Sequence, residues 1–429
     1  MATVNQPKNL TSLQNDNFPE YPLFIFVALF FLDIGVVFGA FNAFRWGGYF
    51  KGALITKPEI HQTHWTSTLL GGVTVLMLGQ ILFFFSQVSG KRNRLHWLSF
   101  GVLGCWLLGI ICSYLSVWVD YNTYIGIVRF MVKLAAFLFL VLVVSFFFDP
   151  SFRANMKTHP AIYHLLSGTI WFTIAVFWKF DIFSGSLDRL FLFTYIYGFF
   201  SLTLFGTLTF VLPILSHQKP RNYGAVRTNL IMLNLAGIFI IYDLYETITY
   251  EKDNLFFDIA GPMIWGFAGF FFALYIFDII YKSGPNTSLI AQIIAILMFE
   301  FFVFDTFMKN VFTQWVKYSH VHFLFIGAIL LTIIATETRV MVLHYNPETQ
   351  TFDEIKEEYS NPQLRKLRNI GLVIAILAIC GVLLGFTLTL ANIKYYAISG
   401  VSGLALFVGL LIIEFSMFSQ IQSMRKNST

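Results

Sequence analysis

An all-α, polytopic membrane protein of about twelve transmembrane helices is the fold class this sequence predicts, and three observations predict it. Hydrophobic residues make up 57% of the 429 and charged residues only 12%, where a soluble domain carries about 25% charged residues. Mean hydropathy is +0.69. Apolar runs of about 20 residues, the length that crosses a bilayer core, recur along the whole chain. They are separated by short polar loops such as SGKRNR and HQKPRNYG. The net charge of +5 sits in those loops, where positive-inside bias accounts for it, so it does not point to nucleic acid.

In chain order, the polar stretch 1–20 lacks the basic start and apolar core of a signal peptide and reads as a tail. Apolar runs then fall at 21–42, 66–88, 95–118, 124–148, 160–180, 189–215, 228–249, 259–281, 288–308, 318–343, 370–391 and 396–423. Glu300 and Asp305 interrupt the ninth. Only 344–369 is long and charged enough for an element outside the membrane. The expected organisation is a cytoplasmic tail 1–20, helices one to ten over 21–343, a cytoplasmic loop 344–369, helices eleven and twelve over 370–423, and a cytoplasmic tail 424–429. No fixed-period repeat is evident in the residues. Cys105, Cys112 and Cys380 all lie in apolar runs, which leaves no disulfide framework and no C-x-x-C site.

Lys and Arg number roughly sixteen in the loops on the side of both termini and roughly nine opposite, which places both termini in the cytoplasm. The expected location is the inner membrane of a prokaryote. That parity sorts the nine histidines. His61 and His64 open the second helix and His320 and His322 open the tenth, all near the outer surface. His96, His159, His164, His217 and His344 lie at or near the inner boundary, where a role as polar anchors is the simplest reading.

The outer four have a stereochemical logic. Residues two apart on a helix point about 200° apart, so His320 and His322 cannot serve one small ion together but can each face a separate planar macrocycle. His61 and His64 are three apart and share a face, so either could meet His322 across a porphyrin. Two axial imidazoles give a low-spin, electron-transferring heme. Ionisable groups inside membrane helices are functional candidates by default.

With these residues in view, WVKYSHVHFLFIGA resembles the tenth helix of subunit I in the heme–copper oxidase superfamily, especially the cbb-type oxidases and nitric oxide reductases. So do the helix count, the His61/His64 position before LLGG, and GTLTFVLPILSHQKP at the end of the sixth helix. The resemblance implies a subunit I-like bundle, heme b at His322 with His61 or His64, and a second, high-spin heme at His320 if two are present. Arg129 and Lys133, one turn apart in the fourth helix, would contact heme propionates; snorkelling to the interface is their alternative role. The family's copper histidines have no counterpart, because the sixth and seventh helices contain no histidine and offer only Asp243 and Glu246, poor ligands for Cu(I). A proton-pumping terminal oxidase is therefore not expected. The segment TRVMVLH, with Thr338, Arg339, Val340 and His344, is also similar to NnrS-like proteins, twelve-helix heme proteins linked to nitric oxide tolerance.

The expected function is thus a membrane-embedded b-type heme protein for electron transfer or binding of a diatomic gas such as nitric oxide, with the bilayer, other membrane or cytochrome subunits, or further copies of the chain as partners. A cofactor-free structural subunit of a larger complex and a secondary transporter are the alternatives. Asp243, Glu246, Glu300, Asp305 and Glu414 are candidate proton-relay or ion-pairing groups.

Overall fold

The computed structural model describes residues 20–49, 59–157, 159–179, 189–215, 223–250, 255–283, 287–311, 322–340, 343–346, 351–354, 361–389 and 392–428. They form a helical bundle with one short hairpin. The helices are α1 (Tyr21–Trp46), α2 (Glu59–Ser89), α3 (Leu98–Trp118), α4 (Tyr121–Phe146), the short α5 (Pro150–Met156) and α6 (Pro160–Lys179). Next come α7 (Arg189–Phe193, Thr194–Phe200 and Ser201–Leu215 end to end), α8 (Tyr223–Tyr250), α9 (Leu255–Ser283) and α10 (Thr287–Val311). Then α11 (Phe323–Leu330 and Leu331–Val340) leads to the antiparallel hairpin β1 (Leu343–Asn346) and β2 (Thr351–Glu354), with Leu343 opposite Glu354. Last are α12 (Pro362–Leu388) and, after a 3₁₀ turn, α13 (Tyr396–Ser428).

Among the described residues, ten helices are long and apolar enough to cross a bilayer, and Thr287–Val303 and Ile326–Ala335 are shorter apolar helices at the ninth and tenth expected positions. The boundaries move in three informative places. The second helix starts at Glu59, ahead of its apolar run at 66, and His61 and His64 stand in its first turns, as expected. The tenth gives way to strand by Leu343. The eleventh begins at Pro362, inside the stretch read as loop, because Asn361 caps it by accepting the Gln363 amide and Pro362 is preset for a first turn.

The helices fall into three successive four-helix units: α1–α4, α6–α9 and α10–α13. In each, the third and fourth helices pair closely, and the first packs on the last helix of the unit before it: α6 on α4, α10 on α9, and α1 on α13, which closes the ring. The second helix of every unit is interrupted by a π-helical stretch, starting at Thr66, Thr194 and Phe323, spacings of 128 and 129 residues. Each stretch holds a glycine against the unit's first helix. A Cβ on Gly71 would lie 2.5 Å from Phe31, on Gly198 2.5 Å from Trp171, and on Gly327 2.7 Å from Met298. A repeat absent from the residue pattern is therefore present in the architecture, kept by three small residues and not by three similar sequences.

π-Helical turns displace backbone carbonyls, and in an apolar interior each must find a donor. Thr74 donates to the Leu69 carbonyl (2.7 Å), the Trp106 indole to Leu70 (2.8 Å) and Ser201 to Ile196 (2.9 Å). At the end of the bundle that holds Glu20, Arg92 pairs with Glu20 at 2.7 Å and Lys91 with Asp149 at 2.8 Å. Partial burial pushes the Asp149 carboxyl up, but bonds from Lys91, Ser89 and the Ser151 amide outweigh it and hold it below the usual carboxylate range.

Candidate functional site

Where the first and third units meet, α1, α2, α11, α12 and α13 line a cleft, partly open at its mouth, that holds about 770 Å³ of non-atom space with the open solvent at the mouth included. Its lining mixes small residues, Gly39, Ala40 and Ala43 from α1 and Gly403 from α13, with larger ones such as Ile326, Leu330 and Phe386. His64 and His322 face it from opposite second helices.

Their rings are parallel within 8° and their centres 6.3 Å apart. That gap is too wide for rings in face-to-face contact, which pack at about 3.5–4.0 Å. An imidazole nitrogen binds a transition metal at about 2 Å, so two imidazoles on opposite sides of one ion hold their ring centres about 6 Å apart. The observed separation fits that arrangement.

His64 is held firmly. Its Nδ1–H donates to the Gly35 carbonyl of α1 at 2.6 Å, which fixes the tautomer and leaves the Nε2 lone pair as the base. Gly39, one turn further along α1, makes the room: a Cβ there would sit 2.7 Å from His64 Cε1 and 2.9 Å from Nδ1. His322 opens the π-helical stretch of α11, half-buried, with its ring stacked on Phe386 at 4.4 Å and 27°.

His61 is engaged elsewhere. The Trp65 indole donates to its Nε2 at 3.2 Å, and the buried Asn42 amide lies 3.2 Å from its Nδ1. An indole can only donate, so the lone pair on Nε2 faces Trp65, while the Asn42 amide nitrogen faces Nδ1. Both ring nitrogens of His61 are thus committed to α1 and α2. Of the two candidates left open by sequence, His64 is the one that faces the cavity with a free nitrogen.

His320 lies outside the described residues, as does His217. Arg129 is on α4, which does not line the cavity, so the propionate contact expected of it has no support from its position. Arg45, in the last turn of α1, is near enough to His61 to act on it electrostatically. The inner histidines are dispersed. His96 Nδ1 donates to the Asn93 carbonyl at 2.9 Å, and His164 Nε2 donates to Asn229 at 2.8 Å, whose own amide donates to the Ala268 carbonyl at 2.7 Å. His159 is buried against Phe210, and burial pushes its imidazole down to about 4. His344 is opposite Asp353 in the hairpin register. Among the described residues, no three His, Cys, Asp or Glu side chains come together as a set able to hold a metal ion. Glu246 accepts from Tyr242 at 2.9 Å, and Glu414 is hydrogen-bonded to Asp33 of α1.

A pair of imidazoles without a third protein donor leaves four positions of an octahedral ion unfilled, which suits a planar tetradentate ligand better than a bare ion. Sequence reasoning missed Gly35, Gly39, Asn42 and Phe386. The available signal was the i, i+4 glycine pair on α1, the spacing that lets a neighbouring helix approach closely in a membrane. No model of a known protein family matches the sequence, and no curated protein matches it.

Proposed function

We propose that the protein is a membrane-embedded b-type heme protein in which His64 and His322 are the axial ligands, and that it carries single electrons. The observation behind this reading is the parallel imidazole pair at 6.3 Å in a largely apolar, partly open cleft, with His64 already oriented by the Gly35 carbonyl. When bound, the group supplies a low-spin iron centre that changes by one electron. The chain does the rest. Gly35 raises the basicity of His64 by holding its Nδ1–H, Gly39 makes room for the His64 ring, and His64 and His322 would hold the group among largely apolar walls that would tune its redox potential.

Two axial bases leave no open position, which favours electron transfer over nitric oxide binding. Relationship to subunit I of the heme–copper oxidases is part of the proposal, supported by ligand candidates on the second and tenth expected helices. So is a cytoplasmic position for the Glu20 end, where Lys91, Arg92 and Arg94 cluster. The test is optical and paramagnetic. Purified protein should show a Soret band, a b-type pyridine hemochrome and a low-spin signal; His64→Ala and His322→Ala should each remove the low-spin signal, and His61→Ala should keep it. Heme-free wild-type protein after reconstitution would end this reading.

A further inference from the structure

The first and last spanning helices meet along one seam. α1 and α13 run antiparallel there: Phe26 stacks on Phe418 at 4.2 Å and 10°, a Cβ on Gly403 would lie 3.0 Å from that of Ala40, and one on Gly400 would lie 2.9 Å from the Phe44 ring. The same seam walls the cleft, which takes Leu32, Gly39, Ala40 and Ala43 from α1 and Gly403 and Leu406 from α13. Between the Phe26–Phe418 and Ala40–Gly403 contacts each helix carries an acid, Asp33 on α1 and Glu414 on α13, both half-buried. Their side chains are hydrogen-bonded to each other across the seam. The remaining oxygens, Asp33 Oδ1 and Glu414 Oε1, are buried and have no hydrogen-bond partner among the described residues.

An ionised carboxylate only accepts, so two carboxyls bond to each other when one of them carries a proton. That proton belongs to the pair and not to either residue. Once it leaves, two like charges stand in contact within helices long enough to cross a bilayer, where little water screens them. The charge that acts on Asp33 is that of Glu414. Neighbouring helices place their own charges elsewhere. α2, packed along α1, has no ionisable side chain from Thr66 to Ser89, and its Glu59, His61 and His64 stand in its first turns. α12, packed along α13, has Arg365, Lys366 and Arg368 in its first two turns and an exposed Cys380, and α11 has Glu337 and Arg339 in its last turn. On the two helices themselves, Glu20 and Arg45 flank α1 and Arg425 and Lys426 end α13.

The pair is also wired to the candidate ligand. Leu32, beside Asp33, lines the cleft, and two residues beyond Asp33 the Gly35 carbonyl holds His64 Nδ1–H at 2.6 Å. A shift of α1 at Asp33 therefore moves the group that orients the imidazole.

We infer that Asp33 and Glu414 are a proton latch on the cleft: one shared proton ties α1 to α13, and its loss drives the two helices apart, displaces Gly35 and releases the group held by His64 and His322. The latch stands on the seam; its effect on a bound group rests on the bis-histidine reading above. Two measurements on the purified full chain test the two parts separately. Infrared difference spectra of wild type against Glu414→Gln, taken from about pH 7 to about pH 10, should show a protonated-carboxyl C=O band in wild type that shifts in heavy water and disappears at the alkaline end. Hemin-loaded wild type should pass hemin to an excess of a heme-scavenging globin about tenfold faster at the alkaline end, the factor expected for losing one hydrogen bond to a charged group. Glu414→Gln, whose amide donates to Asp33 without titrating, should keep the slow rate throughout, and Asp33→Asn, which donates the other way, should match it and serves if Glu414→Gln does not fold. No protonated-carboxyl band assignable to the pair, or the same pH profile of hemin transfer in wild type and both amide variants, would overturn the latch and leave the bis-histidine reading standing. Wild type that shows the titrating band but binds no hemin would overturn the bis-histidine reading, and with it the release step, and leave the shared proton standing.

Discussion

Placing a methyl group at position 39 tests the geometry of the cavity directly. In Gly39→Ala the new Cβ would lie 2.7 Å from His64 Cε1 and 2.9 Å from Nδ1. Non-bonded carbons pack at about 3.5–4.0 Å, so the imidazole must retreat by about 1 Å. That movement lengthens the 2.6 Å bond to the Gly35 carbonyl and tilts the ring out of parallel with His322. Overpacking costs about 1–3 kcal/mol and a lost hydrogen bond about 0.5–1.5 kcal/mol, together about 2–4 kcal/mol. At 1.4 kcal/mol per tenfold, heme affinity should fall by roughly 30- to 1000-fold. The assay is the rate of heme transfer to an excess of a heme-scavenging globin, followed at the Soret band. Gly104→Ala on α3 is the control, because a Cβ there meets nothing within 4 Å. Equal transfer rates for Gly39→Ala and wild type would refute the placement of His64 as a ligand.

Other outcomes follow from the same contacts. His61→Ala should leave the heme spectrum intact and lower thermal stability by about 1–3 kcal/mol, because the Trp65 indole and Asn42 amide lose their partner. Trp106→Phe should cost a similar amount, about 1–3 kcal/mol, by orphaning the Leu70 carbonyl in the π-helical stretch, measured as a lower melting temperature in detergent. His159 is held neutral by burial, with its folded value near 4 against 6.5. The unfolded chain therefore binds the extra proton first, and stability should fall as pH drops from about 6.5 toward about 4, by up to about 3 kcal/mol; in His159→Gln that slope should flatten. Asp149 has the opposite kind of group but the same sign. Its contribution is complete above the ordinary aspartate value of 3.8 and is lost as pH falls below it, so Asp149→Asn should show a lower melting temperature at pH 6 and a smaller further drop by pH 3.

The transmembrane pattern was legible because burying a helix in lipid leaves a compositional mark some 20 residues long that needs no partner to be read. Helix ends were less so. The apolar run begins only at 66, yet α2 starts at Glu59, where α1 supplies contacts that include Asn42 for His61 and Gly35 for His64. The depth match of His64 with His322 could be read from counting alone. The choice between His61 and His64 could not, since both share a face and only the neighbouring helix distinguishes them. The three-unit architecture escaped a search for repeated residues because its signature is a glycine in a π-helical turn, and the ring closure that makes the cavity pairs helices from the two ends of the chain.

That closure has a consequence for biogenesis. The wall built by Gly39 and Ala40 is finished only when Gly403 and Leu406 of α13 arrive, and about 350 residues separate the end of α1 from the start of α13. At synthesis rates of about 5–20 residues per second, the first half of the chamber waits roughly 20–70 s for the second. Cofactor loading is then a step that follows translation instead of guiding it. The nascent bundle must in the meantime shield a groove of small residues and an oriented imidazole from lipid, from stray metal ions and from other hydrophobic segments.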